Sequence, residues 1–255
     1  MLRIFSVTIL LSTGLAFEFP LLPKFFSTPA IPSLVQKKKA LLDAVSFTNN
    51  GKDASVETQE KVLRIVREIE RDAPPSQNIL SNQEEAMALD GVWYLQYTSP
   101  SIVGDPDADT WNPQVADEGE LNIETKQFNA KGSISAGGIK VDTSNKVVKQ
   151  IFDIGESRVV NDVNLDFGQV TLGGIFRPSP NVYNRAIISF REARITLNNG
   201  FVVDIGFLFS ILAIVRGTKD NGWLETTYLG EDMRLGRGNK GTMFVLTRDV
   251  NAVNS

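Results

Sequence analysis

Neither cysteine nor histidine occurs in this chain of 255 residues. Without thiols there are no disulfides, no thiolate nucleophiles and no Cys/His zinc sites. Without imidazole there is no Ser-His-Asp triad and no histidine general base. Catalysis would have to come from carboxylates, lysine, tyrosine or a bound group. Long apolar runs are also scarce. The longest, Ile205 to Val215, has eleven residues between Asp204 and Arg216, too few for a membrane-spanning helix. Carboxylates at metal spacing occur once, as Asp105-x-Asp107-x-Asp109. A calcium loop begun there would need Gly and Glu where Thr110 and Ala116 stand, so the segment reads as a solvated acidic loop and no metal site is expected.

What is present is unevenly charged. Five of the 26 basic residues but only one of the 30 acids precede residue 43, leaving the rest with a net charge of −8. An acidic body argues against a nucleic-acid partner, which needs a basic face. The N-terminus reads as an address. Met1-Leu2-Arg3, an apolar stretch to Leu11 and small residues at Gly14 and Ala16 make residues 1–16 a signal peptide. Residues 17–33, FEFPLLPKFFSTPAIPS, have four prolines and no helical or strand period. The pair resembles the bipartite presequence of plastid proteins in algae with complex plastids, where a transit peptide beginning with Phe follows the signal peptide. The alternative is a secreted protein with a proline-rich arm, but the chain has neither cysteines nor an N-x-S/T acceptor.

Residues 34–75 read as a helical hairpin. Leu34, Leu41, Leu42 and Val45 share one helical face, and Asn49-Asn50-Gly51-Lys52 interrupts. Ser55 is an N-cap for a second helix with Val62, Ile65, Val66 and Ile69 on its apolar stripe, and Pro74-Pro75 ends it. From Gly91 the period becomes two. Trp93, Leu95 and Tyr97 alternate with Val92, Tyr94 and Gln96. Further strand-like runs are 119–128, 146–154, 158–167, 169–176, 185–197, 222–229 and 242–248. Short strands without intervening helices point to a closed antiparallel barrel or a sandwich over residues 91–250. The segment 201–217 is either a strand buried on both faces or a lid or membrane-docking surface.

Gly236-x-Gly238-x-x-Gly241 has the spacing of a dinucleotide fingerprint. It is followed by the strand-like Thr242 to Arg248, with no room for the required helix, and that reading fails. Arg234, Arg237 and Lys240 then sit on a glycine-rich strand connection. They either pair with carboxylates such as Glu231 and Asp232 or form a cationic rim for a headgroup.

The segment 222–246, GWLETTYLGEDMRLGRGNKGTMFVL, resembles the C-terminal signature of the plastid lipid-associated proteins, or fibrillins. Tyr228, Leu229, Asp232, Arg234, Arg237, Gly238, Asn239, Lys240 and Gly241 stand at matching places, and Gly230 replaces the first Asp of the motif's turn. The helices and LDGVWYLQYTS match upstream, so the likeness runs from about residue 36 to 248, and residues 34–250 form one fibrillin-type domain. Gly91-x-Trp93 also resembles the first-strand motif of lipocalins, in which a late basic residue packs across the Trp; Arg248 is the candidate here. The resemblance implies a mostly β fold with an N-terminal helical hairpin followed by an antiparallel lipocalin-like β-barrel. It implies a non-enzymatic plastid protein that associates with plastoglobules or thylakoids. Such a protein would bind a carotenoid, prenylquinone or acyl lipid, with Trp93, Leu95 and Tyr97 facing the lumen. A structural coat without a lumen ligand is the alternative, and a calycin-type isoprenoid-modifying enzyme a third; neither a catalytic residue nor a cofactor is assigned.

Overall fold

The computed structural model describes residues 32–99, 133–136, 139–142, 145–207, 222–238, 242–249 and 251. The signal peptide, nearly all of the transit-like segment, the acidic loop 105–109, the strand-like run 119–128, most of the apolar run and Asn239-Lys240-Gly241 lie outside them.

Helix α1 (Leu34–Val45) begins with a capping box. The Ser33 hydroxyl accepts from the Gln36 amide, and the Gln36 side chain accepts from the Ser33 amide. Helix α2 (Val56–Asp72) is capped by Ser55 and buries Val62, Ile65, Val66 and Ile69, the stripe that the sequence sets at helical spacing. The two helices run antiparallel. Lys37 on α1 reaches Asp72 at 2.6 Å and Glu68 at 3.3 Å near the far end of α2. Between them, Phe47, Asn49, Asn50 and Gly51 all take positive φ. A third helix, α3 (Gln83–Ala86), is a single turn before the first strand. No helix among the described residues is long and apolar enough to cross a membrane.

The strands are β1 (Gly91–Thr98), β2 (Ser133–Ala136), β3 (Ile139–Asp142), β4 (Val148–Asp153), β5 (Arg158–Leu165), β6 (Gly168–Pro178), β7 (Arg185–Leu197), β8 (Val202–Asp204), β9 (Gly222–Leu229), β10 (Met233–Gly238) and β11 (Met243–Thr247). β2 and β3 pair with each other. The other nine form an antiparallel sheet in the order β6-β5-β4-β1-β11-β10-β9-β7-β8. β6 and β7 also pair, so the ladder of eight strands returns to its start. Three bulges interrupt it, with Gln96, Thr227 and Arg191 as the extra residues. Bulges bend strands and increase twist, which a circuit of pairings requires.

β10 is a correction to the sequence reading, which places 234–241 in a turn. Gly236, which looks like a turn signal, is here for clearance. A Cβ on Gly236 would lie 2.9 Å from the Glu225 carbonyl oxygen on the neighbouring strand. One turn lies between Leu229 and Met233, where the Gly230 amide donates to the Met233 carbonyl, and the connection from β10 to β11 falls on 239–241, outside the described residues.

Two apolar clusters flank the sheet. The inner one gathers Trp93, Leu95, Phe152, Val163, Leu172 and Ile188, and Ile79, Leu80 and Leu89 from the segment before β1 join it. The outer one packs the α1/α2 stripe on Tyr97, Tyr228, Met233, Leu235, Met243 and Val245. Alternate residues of β11 therefore feed both cores, whereas β10 gives Met233 and Leu235 to the outer one.

The ends of the strand set differ. At the Trp93 end, residues 79–90 close over the inner cluster. At the far end, backbone hydrogen bonds link Asn50 to Thr98, Val147 to Asn164 and Phe167 to Asn198. Phe47 (91%), Phe201 (62%) and Phe167 (54%) stand exposed there, and Phe207 (61%) is exposed where the chain has left β8.

Candidate functional site

Gly91 enters β1 at φ +94°, and a Cβ there would lie 2.9 Å from Arg248 Nη1. That left-handed entry, open to glycine, gives the guanidinium room over the Trp93 ring, 3.8 Å from its centroid. Arg248 Nη1 donates to the Asp90 carbonyl at 2.5 Å and Nη2 to that of Ala88 at 2.9 Å. Trp93 Nε1 donates to the Leu89 carbonyl at 2.8 Å, so the ring is fully enclosed and its polar atom is satisfied.

Arg234 projects from β10 to the same inner face and is 1% exposed. Its guanidinium lies 4.8 Å from the Phe152 ring centroid and 5.9 Å from that of Trp93. Nη2 donates to Gln150 Oε1 on β4, whose Nε2 donates to Asn161 Oδ1 on β5 at 2.9 Å. Nε and Nη1 are buried without a partner. Burial pushes the pKa of this guanidinium down to about 9, and the charge of Arg248 pushes the same way. Gln150 and Asn161 are absent from the sequence-based site. The signal for them is a polar residue on an apolar phase, in Val148-x-Gln150-x-Phe152 and Val159-x-Asn161-x-Val163.

Tyr97 is a second correction. It does not share a face with Trp93 and Leu95. Tyr94 and Leu95 pair with Thr247 and Leu246, and then Tyr97 pairs with Val245, so Gln96 is bulged and the phase reverses. Gln96 Nε2 donates to Thr247 Oγ1 at 2.8 Å. Tyr97 lies in the outer cluster beneath the helices, its Oη buried without a partner and its pKa pushed up to about 12 by burial.

Of the other motif residues, Tyr228, Asp232 and Arg237 lie on the outer side. Tyr228 belongs to the outer cluster, and burial raises its pKa. Asp232 pairs with Lys38 of α1. Arg237 does not pair with Glu231 or Asp232. It faces outward from β10 and meets Glu70 of α2 at 2.8 Å, with side-chain exposures of 12% and 16%. Across the sheet its neighbour Glu225 meets Arg185 at 3.0 Å, and Arg185 lies 4.0 Å from the Trp223 ring centroid. Tyr228, Asp232 and Arg237 thus hold α1 and α2 to the sheet, whereas Arg234 faces inward and Leu229 packs against the inner cluster. Among the described residues no cluster of acidic side chains could hold a metal ion.

Comparison with known proteins is consistent in kind. The family model PAP_fibrillin matches residues 35–247. The light-induced chloroplastic protein of Solanum demissum is 26% identical over 238 residues, covering 87% of this chain and 70% of that protein. The chromoplast-specific carotenoid-associated protein of Cucumis sativus is 26% identical over 241 residues, with the same shares. Plastid lipid-associated protein 3 of Brassica campestris is 28% identical over 231 residues, covering 83% of this chain and 60% of that protein. No solved structure matches.

Proposed function

Because this chain belongs to the PAP_fibrillin family, we propose that it is a non-enzymatic plastid protein that sits on plastoglobules or thylakoids. In this reading it holds a carotenoid, a prenylquinone or an acyl lipid within a lipocalin-like barrel. The observation that carries the lipid association is the exposure of four phenylalanines, Phe47, Phe167 and Phe201 at the strand ends away from Trp93 and Phe207 beyond β8. Apolar patches of that kind mark contact surfaces, and each phenylalanine taken into lipid contributes roughly 25 cal/mol per Å² buried. The inner face supplies apolar walls for the ligand, and its partly exposed members Leu165, Ile195, Leu224 and Phe244 lie toward that same end.

Flotation with liposomes of plastid galactolipid tests the first part. The protein rises with the lipid, and the double variant Phe201→Ser/Phe207→Ser stays at the bottom of the gradient. If the variant floats as the parent does, these side chains are not the docking surface. Refolding in a plastid lipid extract, gel filtration and mass spectrometry test the second part, with a stoichiometric apolar molecule as the expected result. The coat reading, without an enclosed ligand, is favoured by the dense packing of Val163, Leu172 and Ile188 on the inner face. An empty protein that still floats establishes it.

A further inference from the structure

Four buried or part-buried cations fall into two kinds. Lys37 meets Glu68 and Asp72, Arg185 meets Glu225, and Arg237 meets Glu70. Arg234 is as buried as any of them, yet its hydrogen bond goes to the neutral Gln150, and no carboxylate among the described residues pairs with it. Charges taken out of water are normally paired, because an uncompensated one is costly. The charged group nearest in effect is another cation, Arg248, whose own donors are taken by two backbone carbonyls.

We propose that Arg234, steadied by Gln150 and the Phe152 ring, receives the carboxylate of a long-chain acid whose apolar tail runs along the inner face toward the exposed-phenylalanine end. This rests on the reading that the inner face holds a ligand, and it narrows that ligand from any apolar molecule to one with a single-charge acidic head. Nε and Nη1 supply free donors, and charge-assisted hydrogen bonds to carboxylate are among the strong ones. With the donors of Arg248 already taken by carbonyls, the open donors of one guanidinium suit one negative charge better than a dianionic phosphate. The geometry also sets the direction. Arg234 is the second residue of β10, at the Trp93 end, and the strand runs about 13 Å from there to Gly238 at ~3.3 Å per residue. Leu246, Leu95, Val148 and Val163 line the way, and Leu224 and Phe244 stand partly exposed at its far end.

Binding of cis-parinaric acid and of its methyl ester to the full chain, followed by the fluorescence of the polyene, decides the matter. The acid is expected to bind about tenfold or more tighter than the ester. Arg234→Gln should bring the acid down to the ester's affinity while leaving the ester unchanged, and Arg234→Lys should keep part of the preference. Equal affinities of acid and ester for the parent protein overturn the carboxylate proposal and leave the enclosed-ligand reading standing. If neither binds, both fall. Should Arg234→Gln fail to give a cooperative thermal transition, the acid-to-ester ratio of the parent and of Arg234→Lys still decides.

Discussion

Arg248 and Trp93 form one unit, with the guanidinium stacked on the indole and both side chains hydrogen-bonded to the segment before β1. The last strand is thereby locked to the entry of the first. Replacing Arg248 with Met removes a cation–π contact and two hydrogen bonds from a cationic donor. A loss of about 2–3 kcal/mol is expected, read as a lower urea midpoint with an unchanged slope. Arg248→Lys should fall between, because an ammonium cannot fork to two carbonyls while stacking flat.

Gly51 has φ +94°, and a Cβ there would lie 2.2 Å from the Thr98 carbonyl oxygen. The same loop gives its Asn50 carbonyl to the Thr98 amide at 3.0 Å. Gly51→Ala therefore meets both backbone strain and a clash with main chain that cannot rotate away. It should cost about 3 kcal/mol by thermal unfolding. A loss below about 0.5 kcal/mol would show that the loop does not sit against β1.

Arg237 and Glu70 tie β10 to α2 in a partly buried setting. Removing either partner alone strands the other, at about 3 kcal/mol each. Replacing both with Met and Leu should cost much less than the sum, and a double-mutant cycle measures the difference. Additive losses would mean that the pair does not form.

Tyr97 carries a buried hydroxyl with no partner, so Tyr97→Phe should leave stability at neutral pH unchanged or raise it by about 1 kcal/mol. The pH dependence follows from its raised pKa. The unfolded chain ionises this phenol near 10, whereas the fold holds it protonated to about 12. Stability tied to the neutral phenol is complete below pH 10 and is lost as the pH rises through 12. The Phe variant should lose less stability over that interval, as seen in urea midpoints measured between pH 9 and 12.

Elements with a strong period were legible in the sequence. The stripe of α2 is buried, and the run 185–197 coincides with β7. Local pattern could not reveal the features that depend on a partner strand. The bulge at Gln96 exists only in the register of β1 against β11, and it alone turns Tyr97 from one core to the other. β10 was hidden because its Gly236 answers to crowding from Glu225 rather than to a turn. The same holds for the charges of the motif. Adjacent acids Glu231 and Asp232 looked like the partners of Arg237, but alternation along a strand sends it toward a helix formed by residues 56–72. The inward guanidinium of Arg234 follows from the same alternation once the strand is recognised.

The outer core has a consequence for the order in which this protein can be completed. Lys38 of the first helix finds Asp232 at a separation of 194 residues, and the helical stripe rests on strands from the end of the chain. The helices are thus made well before the strands that cover them. Non-local closure of this kind makes folding slow. A chain arrested before β10 would present two uncovered helices, a target for chaperones during synthesis and transport.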